Sequence, residues 1–138
     1  MPAPASAAPL VVYAAGDIAE CRGKPPAESG AARTAKLIPP GATVLVPGDT
    51  AYPFATATTL QTCYEPTWGA NRATTIAVPG NHDTLAMIPP LEAAGLRFLL
   101  NEHIVWQRAE ERLVVVDRVL PWVRRDRLAR DIERRHEP

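Results

Sequence analysis

Three short apolar runs, each cut off by a glycine and a residue with a side-chain oxygen, set the rhythm of the chain. Residues 10–15 read LVVYAA and stop at Gly16-Asp17, residues 43–46 stop at Pro47-Gly48-Asp49, and residues 74–78 stop at Pro79-Gly80-Asn81. Apolar, partly β-branched runs of that length, ended by turn residues, predict buried strands. Between the first two, residues 28–38 carry Ala, Arg, Lys and Leu with no glycine after Gly30, which predicts a helix terminated by Pro39-Pro40-Gly41. The Thr-rich residues 54–64 are assigned a short helix, since that stretch must return the chain across the sheet.

The second half changes period twice. Residues 90–99 place Leu91, Ala94 and Phe98 on one helical stripe. Residues 103–107 and 112–116 then alternate around residues 108–111, the pattern of a β-hairpin. From Pro121 onward the spacing is helical again, with Val119, Val123, Leu128 and Ile132 roughly on one face and Asp126/Arg130 and Asp131/Arg135 at i, i+4. That face would pack on the domain or form an interface with a second copy.

Asp17, Asp49 and Asn81 are thirty-two residues apart in each case, about one strand–helix–strand unit. Three such units would bring the three residues to one edge of a sheet. Outside the carboxyl ends of the strands is where open α/β sheets bind ligands.

Composition narrows the class without naming a partner. The 138 residues suit one domain with a real core, 46% of them are hydrophobic and 22% charged, and the net charge is zero. The basic excess falls in residues 118–138, where Asp126, Asp131 and Glu133 interrupt the positive field, so nucleic acid is not the expected partner. No apolar run approaches the ~20 residues of a membrane helix, and the start lacks the basic character of a secretory signal, so membrane insertion is not expected. Residues 1–9 are Pro/Ala-rich and read as a loose terminus or a trimmed linker; cytoplasmic and secreted locations both stay open. Cys21 and Cys63 fit either two thiols or a bridge.

The chemistry lies in the three loops. Converging hard oxygen donors, one of them a carboxylate able to bridge, are what a pair of ions ~3.5–4 Å apart requires. The segments GDIAEC (16–21), GDTAY (48–52) and GNHD (80–83) resemble, in order and spacing, the calcineurin-like metallophosphoesterases. The Gly-Asp-x-x-Tyr form of the second segment looks like the purple acid phosphatase branch, and CYEPTWG (63–69) is similar to its bacterial members. The resemblance covers roughly residues 10–117.

That resemblance implies an α/β domain with a central mixed β-sheet flanked by helices, like the N-terminal half of the family's four-layer αββα sandwich. It implies two divalent or mixed-valence metal ions (Fe, Zn or Mn) and hydrolysis of a phosphomonoester or phosphodiester by a hydroxide held on the metals. Asp17 and Tyr52 would bind the first metal, Asp49 would bridge, and Asn81 would bind the second. Tyr52 has an equal alternative as a core aromatic. His82 would face the substrate and protonate the leaving group or stabilise phosphoryl charge, with Asp83 orienting it. His103, at a strand start, reads as a surface or packing residue, and Trp68, Trp106 and Trp122 as packing residues, Trp68 with a secondary claim to line the pocket.

The chain leaves the family pattern near Asp117. The family completes its site with a distal His and a later Gly-His-x-His, whereas here the last glycine is Gly95 and only His103 and His136 follow His82. A truncated, frame-changed or replaced C-terminus is the expectation for residues 118–138. The rival to the hydrolase reading is therefore a non-catalytic metal- or phosphate-binding module, or a fragment that a partner chain completes.

Overall fold

The computed structural model describes residues 9–108 and 110–117. Strands β1 (Val12–Ala14), β2 (Thr43–Pro47), β3 (Thr75–Val78) and β4 (Arg97–Phe98) form one sheet in the order β1-β2-β3-β4, every neighbouring pair parallel. The expected α/β architecture is present, but the sheet is parallel rather than mixed. Among the described residues antiparallel pairing is confined to a separate hairpin, β5 (His103–Arg108) and β6 (Glu111–Val116), in register from His103↔Val116 to Arg108↔Glu111. The predicted hairpin and the three predicted strands are thus where the sequence placed them.

Parallel register puts paired residues on the same side of the sheet. Val44 and Thr75, and likewise Val46, Ala77 and Phe98, line up and are buried. On the other side Val12, Thr43, Leu45 and Ile76 are half-buried and Arg97 is exposed. The core therefore sits on one face of the sheet, under the helices.

Those helices are short. Ser29 caps α1 (Gly30–Ala35) by accepting from the Ala32 N–H at 3.1 Å, and Ala31, Ala32 and Ala35 turn inward. The stretch expected to be helical after Tyr52 consists of α2 (Ala57–Thr59), a π-helical segment (Leu60–Tyr64) and α3 (Glu65–Thr67). Thr56 and Thr59 make a capping box at its start. Pro66 has no N–H to return to the preceding turn, and the helix widens just ahead of it. Tyr64 and Trp68 are both 1% exposed, and Trp68 packs in the core.

The helix expected over residues 90–99 is displaced and shorter. α4 runs Ile88–Ala93, Gly95 adopts φ 102°, and the chain then enters β4. Leu91 and Phe98 are both buried, but from two different elements rather than one stripe. The amphipathic helix expected over residues 118–138, with Trp122 and His136, lies outside the described residues.

Cys21 and Cys63 form a disulfide, with Cα atoms 5.8 Å apart, tying the loop after β1 to the π-helical segment. Among the described residues no helix is long and apolar enough to cross a membrane.

Candidate functional site

The three parallel strands end side by side and release their loops at one edge. Gly48 donates its N–H to Val78 O at 3.0 Å, and Ala15 donates to Leu45 O at 3.0 Å, so the turns start in step. Ile18 N–H reaches Asp49 O at 3.3 Å and Tyr52 N–H reaches Ala19 O at 3.0 Å, which knits the first loop to the second. Asp17 itself holds φ 56°, in the left-handed region that Asp tolerates better than most residues.

Glycine is required at two of these turns for different reasons. Gly48 has φ 124°, outside the reach of most side chains. Gly80 gives way to Asp49: a Cβ there would lie 2.0 Å from Asp49 Oδ1. The second and third loops are in van der Waals contact through that missing side chain.

Tyr52 is at the site, not in the core. Its phenol donates to Asp17 Oδ1 and to Asp49 Oδ2, the latter at 2.7 Å. The two carboxylates push the phenol pKa well above its ordinary value, Asp17 contributing most, so the proton stays between them. Asp49 is buried, and its Oδ1 accepts the His82 backbone N–H at 2.8 Å. Two carboxylates and a phenol thus meet at one point, a donor set suited to a hard or borderline cation.

Asn81 is exposed at the head of the third loop. Among the described residues no group of three or more His, Cys, Asp or Glu side chains is arranged to hold a metal. His103 is exposed at the start of β5.

His82 is oriented from an unexpected quarter. Its Nδ1 lies 2.6 Å from the Pro53 carbonyl, which can only accept, so Nδ1 carries the proton and Nε2 is left for other partners. Its ring is flanked by Tyr52, centroids 5.0 Å apart at 44°, and by Phe54, 5.3 Å apart at 31°. The His82 carbonyl accepts from Ala55 N–H at 3.0 Å.

Asp83, expected to orient His82, is engaged elsewhere. Its Oδ1 accepts from the Thr50 N–H at 2.9 Å and the Thr50 hydroxyl at 2.5 Å, and its Oδ2 accepts from Gly80 N–H at 3.0 Å. It clasps the second loop to the third. Burial, the largest influence, nonetheless raises its pKa above the usual carboxylate value.

Thr50, Pro53, Phe54 and Gly80 are the site residues that sequence reasoning passed over. Thr50 and Gly80 stand inside GDTAY and GNHD but without a role of their own, whereas Pro53 and Phe54 act on His82, a distant partner that spacing does not reveal. Beside Asp17 a cavity of about 320 Å³ opens against α1, with Arg22 and Lys24 in its lining. Arg22 is spent on Glu20, which it holds below the ordinary carboxylate pKa.

Comparison of the chain with models of known protein families, with curated proteins and with solved structures yields no match.

Proposed function

We propose that these loops form a metal site for hydrolysing phosphate esters. The observation that carries the reading is the convergence of Asp17, Asp49 and Tyr52 on one shared proton, next to an imidazole whose tautomer is fixed by Pro53. The resemblance of GDIAEC, GDTAY and GNHD to the metallophosphoesterases supports it.

Asp17, Tyr52 and Asp49 would hold a first ion in place of the phenol's proton, and Asn81 with Asp49 would contribute to a second. A bound Fe, Zn or Mn ion would polarise the phosphoryl group and make water a better nucleophile at neutral pH. His82 supplies what the chain itself can do: with Nδ1–H held by Pro53, Nε2 is the ring nitrogen left to face the substrate and would be the one to pass a proton to the departing oxygen. Asp83 acts on this chemistry as a positioning residue, by fixing Gly80 and Thr50.

A second reading rests on the second metal, to which the resemblance assigns Asn81 and Asp49 in this sequence and no imidazole. It makes the chain a metal- or phosphate-binding module that does not turn over alone, or one whose site a partner chain completes. Metal content separates the two. The hydrolase reading expects close to two ions per chain after dialysis, and turnover of a chromogenic phosphate ester that Asp49→Asn abolishes. Absence of Fe, Zn and Mn, with no turnover from acid to alkaline pH, would sink it; retained metal without turnover would select the module.

A further inference from the structure

Among the described residues Phe54 is one of seven large apolar side chains left exposed, at 52%, and it stands against the imidazole of His82. Scattered exposed apolar residues need no explanation. This one differs in its position. The residue before it holds His82 Nδ1 through a backbone carbonyl, and the residue after it is bridged to the His82–Asp83 backbone, so Phe54 sits on a backbone fixed from both sides. Its ring lies 5.3 Å from an imidazole that is itself only half-buried.

Resting on the reading of these loops as a phosphate-ester site, we propose that Phe54 is the platform for the leaving group and selects phosphate esters of flat, aromatic alcohols. The argument is one of reach. A leaving oxygen hydrogen-bonded to His82 Nε2 lies beside the imidazole, and the first ring atoms bonded to it follow within one or two bond lengths. Those atoms fall in the space next to the imidazole, where Phe54 presents an exposed aromatic surface. Offset or tilted stacking favours a planar group there over an alkyl group of similar size. Tyr52 also stands against His82 but spends its hydroxyl on Asp17 and Asp49, so Phe54 is the aromatic left to receive substrate.

The test compares binding of phenylphosphonate and methylphosphonate to the purified chain by calorimetry, in wild type, Phe54→Ala and Phe54→Tyr, each checked for folding by circular dichroism. Neither phosphonate can lose a leaving group, so binding is read apart from turnover. Wild type should bind phenylphosphonate roughly threefold to tenfold more tightly. Phe54→Ala should bring the two together by weakening the phenyl compound alone, and Phe54→Tyr should restore the gap.

The proposal is overturned if wild type does not discriminate, if discrimination survives Phe54→Ala, or if that variant weakens both ligands in parallel. The last result would mean that Phe54 merely positions His82. Discrimination without hydrolysis of phenyl phosphate keeps the platform and removes the hydrolase reading. Hydrolysis without discrimination does the reverse, and neither binding nor turnover removes both.

Discussion

A Cβ on Gly80 would stand 2.0 Å from Oδ1 and 2.4 Å from the backbone nitrogen of Asp49. Since these are a buried carboxylate and main chain, neither can swing aside. Gly80→Ala must therefore separate the second and third loops, at a cost of at least about 2 kcal/mol. Gly48→Ala is the informative contrast: with φ 124° and nothing within 4 Å of its would-be Cβ, it should cost about 1–2 kcal/mol through backbone strain alone. Urea unfolding would rank the two, and metal uptake should fall further in Gly80→Ala, because its Cβ presses directly on the Asp49 carboxylate.

Asp83 predicts a pH dependence. Its folded pKa is raised above the ordinary 3.8 by burial, so the folded state favours the protonated acid more than the unfolded state does. The stabilisation this contributes is present below that value and is lost as pH rises through the raised pKa. Asp83→Asn carries no titrating proton. The stability of wild type relative to Asp83→Asn should decline from about pH 4 upward. Urea unfolding of the metal-free proteins at several pH values measures this, and a constant difference would contradict it.

What could be read from the sequence was local. Residues 10–15, 43–46 and 74–78 announce strands because each is a short apolar run with a turn attached, and the equal spacing of Asp17, Asp49 and Asn81 follows from three similar units in a row. β4 escaped notice because two residues, Arg97 and Phe98, carry no period, and the apparent stripe through Leu91 and Phe98 joined two elements across Gly95. The parallel sheet and separate hairpin depend on which strands pair, which alternation does not specify. The partners of Asp83 and His82 were hidden for a related reason. Thr50 lies thirty-three residues from Asp83 and Pro53 twenty-nine from His82, and a side chain's hydrogen bond leaves no mark at such separations.

The disulfide should matter to the first loop more than to the sheet. Cys21 lies four positions beyond Asp17, while Cys63 is anchored in the core. For bridged positions 42 apart in sequence, the loss of chain entropy in the unfolded state is worth about 3–4 kcal/mol. Reduction, or Cys21→Ser with Cys63→Ser, should lower stability by up to that amount. Native-state hydrogen exchange gives the local readout. The amides of Ile18 and Tyr52, which tie the first and second loops together, should lose protection well before those of Val44 and Val46 inside β2. Uniform loss at all four would place the effect of the bridge in global stability alone.

His82 contributes to the site twice, through its backbone and through its ring, and the two can be parted. The backbone N–H on Asp49 Oδ1 and the carbonyl on Ala55 N–H survive any side-chain replacement, so His82→Ala should keep the third loop in place. Its unfolding midpoint should stay close to wild type. Under the hydrolase reading, the ring's role as proton donor then appears in the choice of ester. An alkyl leaving group departs as a strong base and needs a proton, so kcat should drop by about 10²–10⁴ in His82→Ala. A nitrophenyl leaving group is stable as the anion and needs none, so its kcat should fall far less. Equal losses on both esters would instead assign His82 to stabilising charge on the phosphoryl group, a contribution that does not depend on what departs.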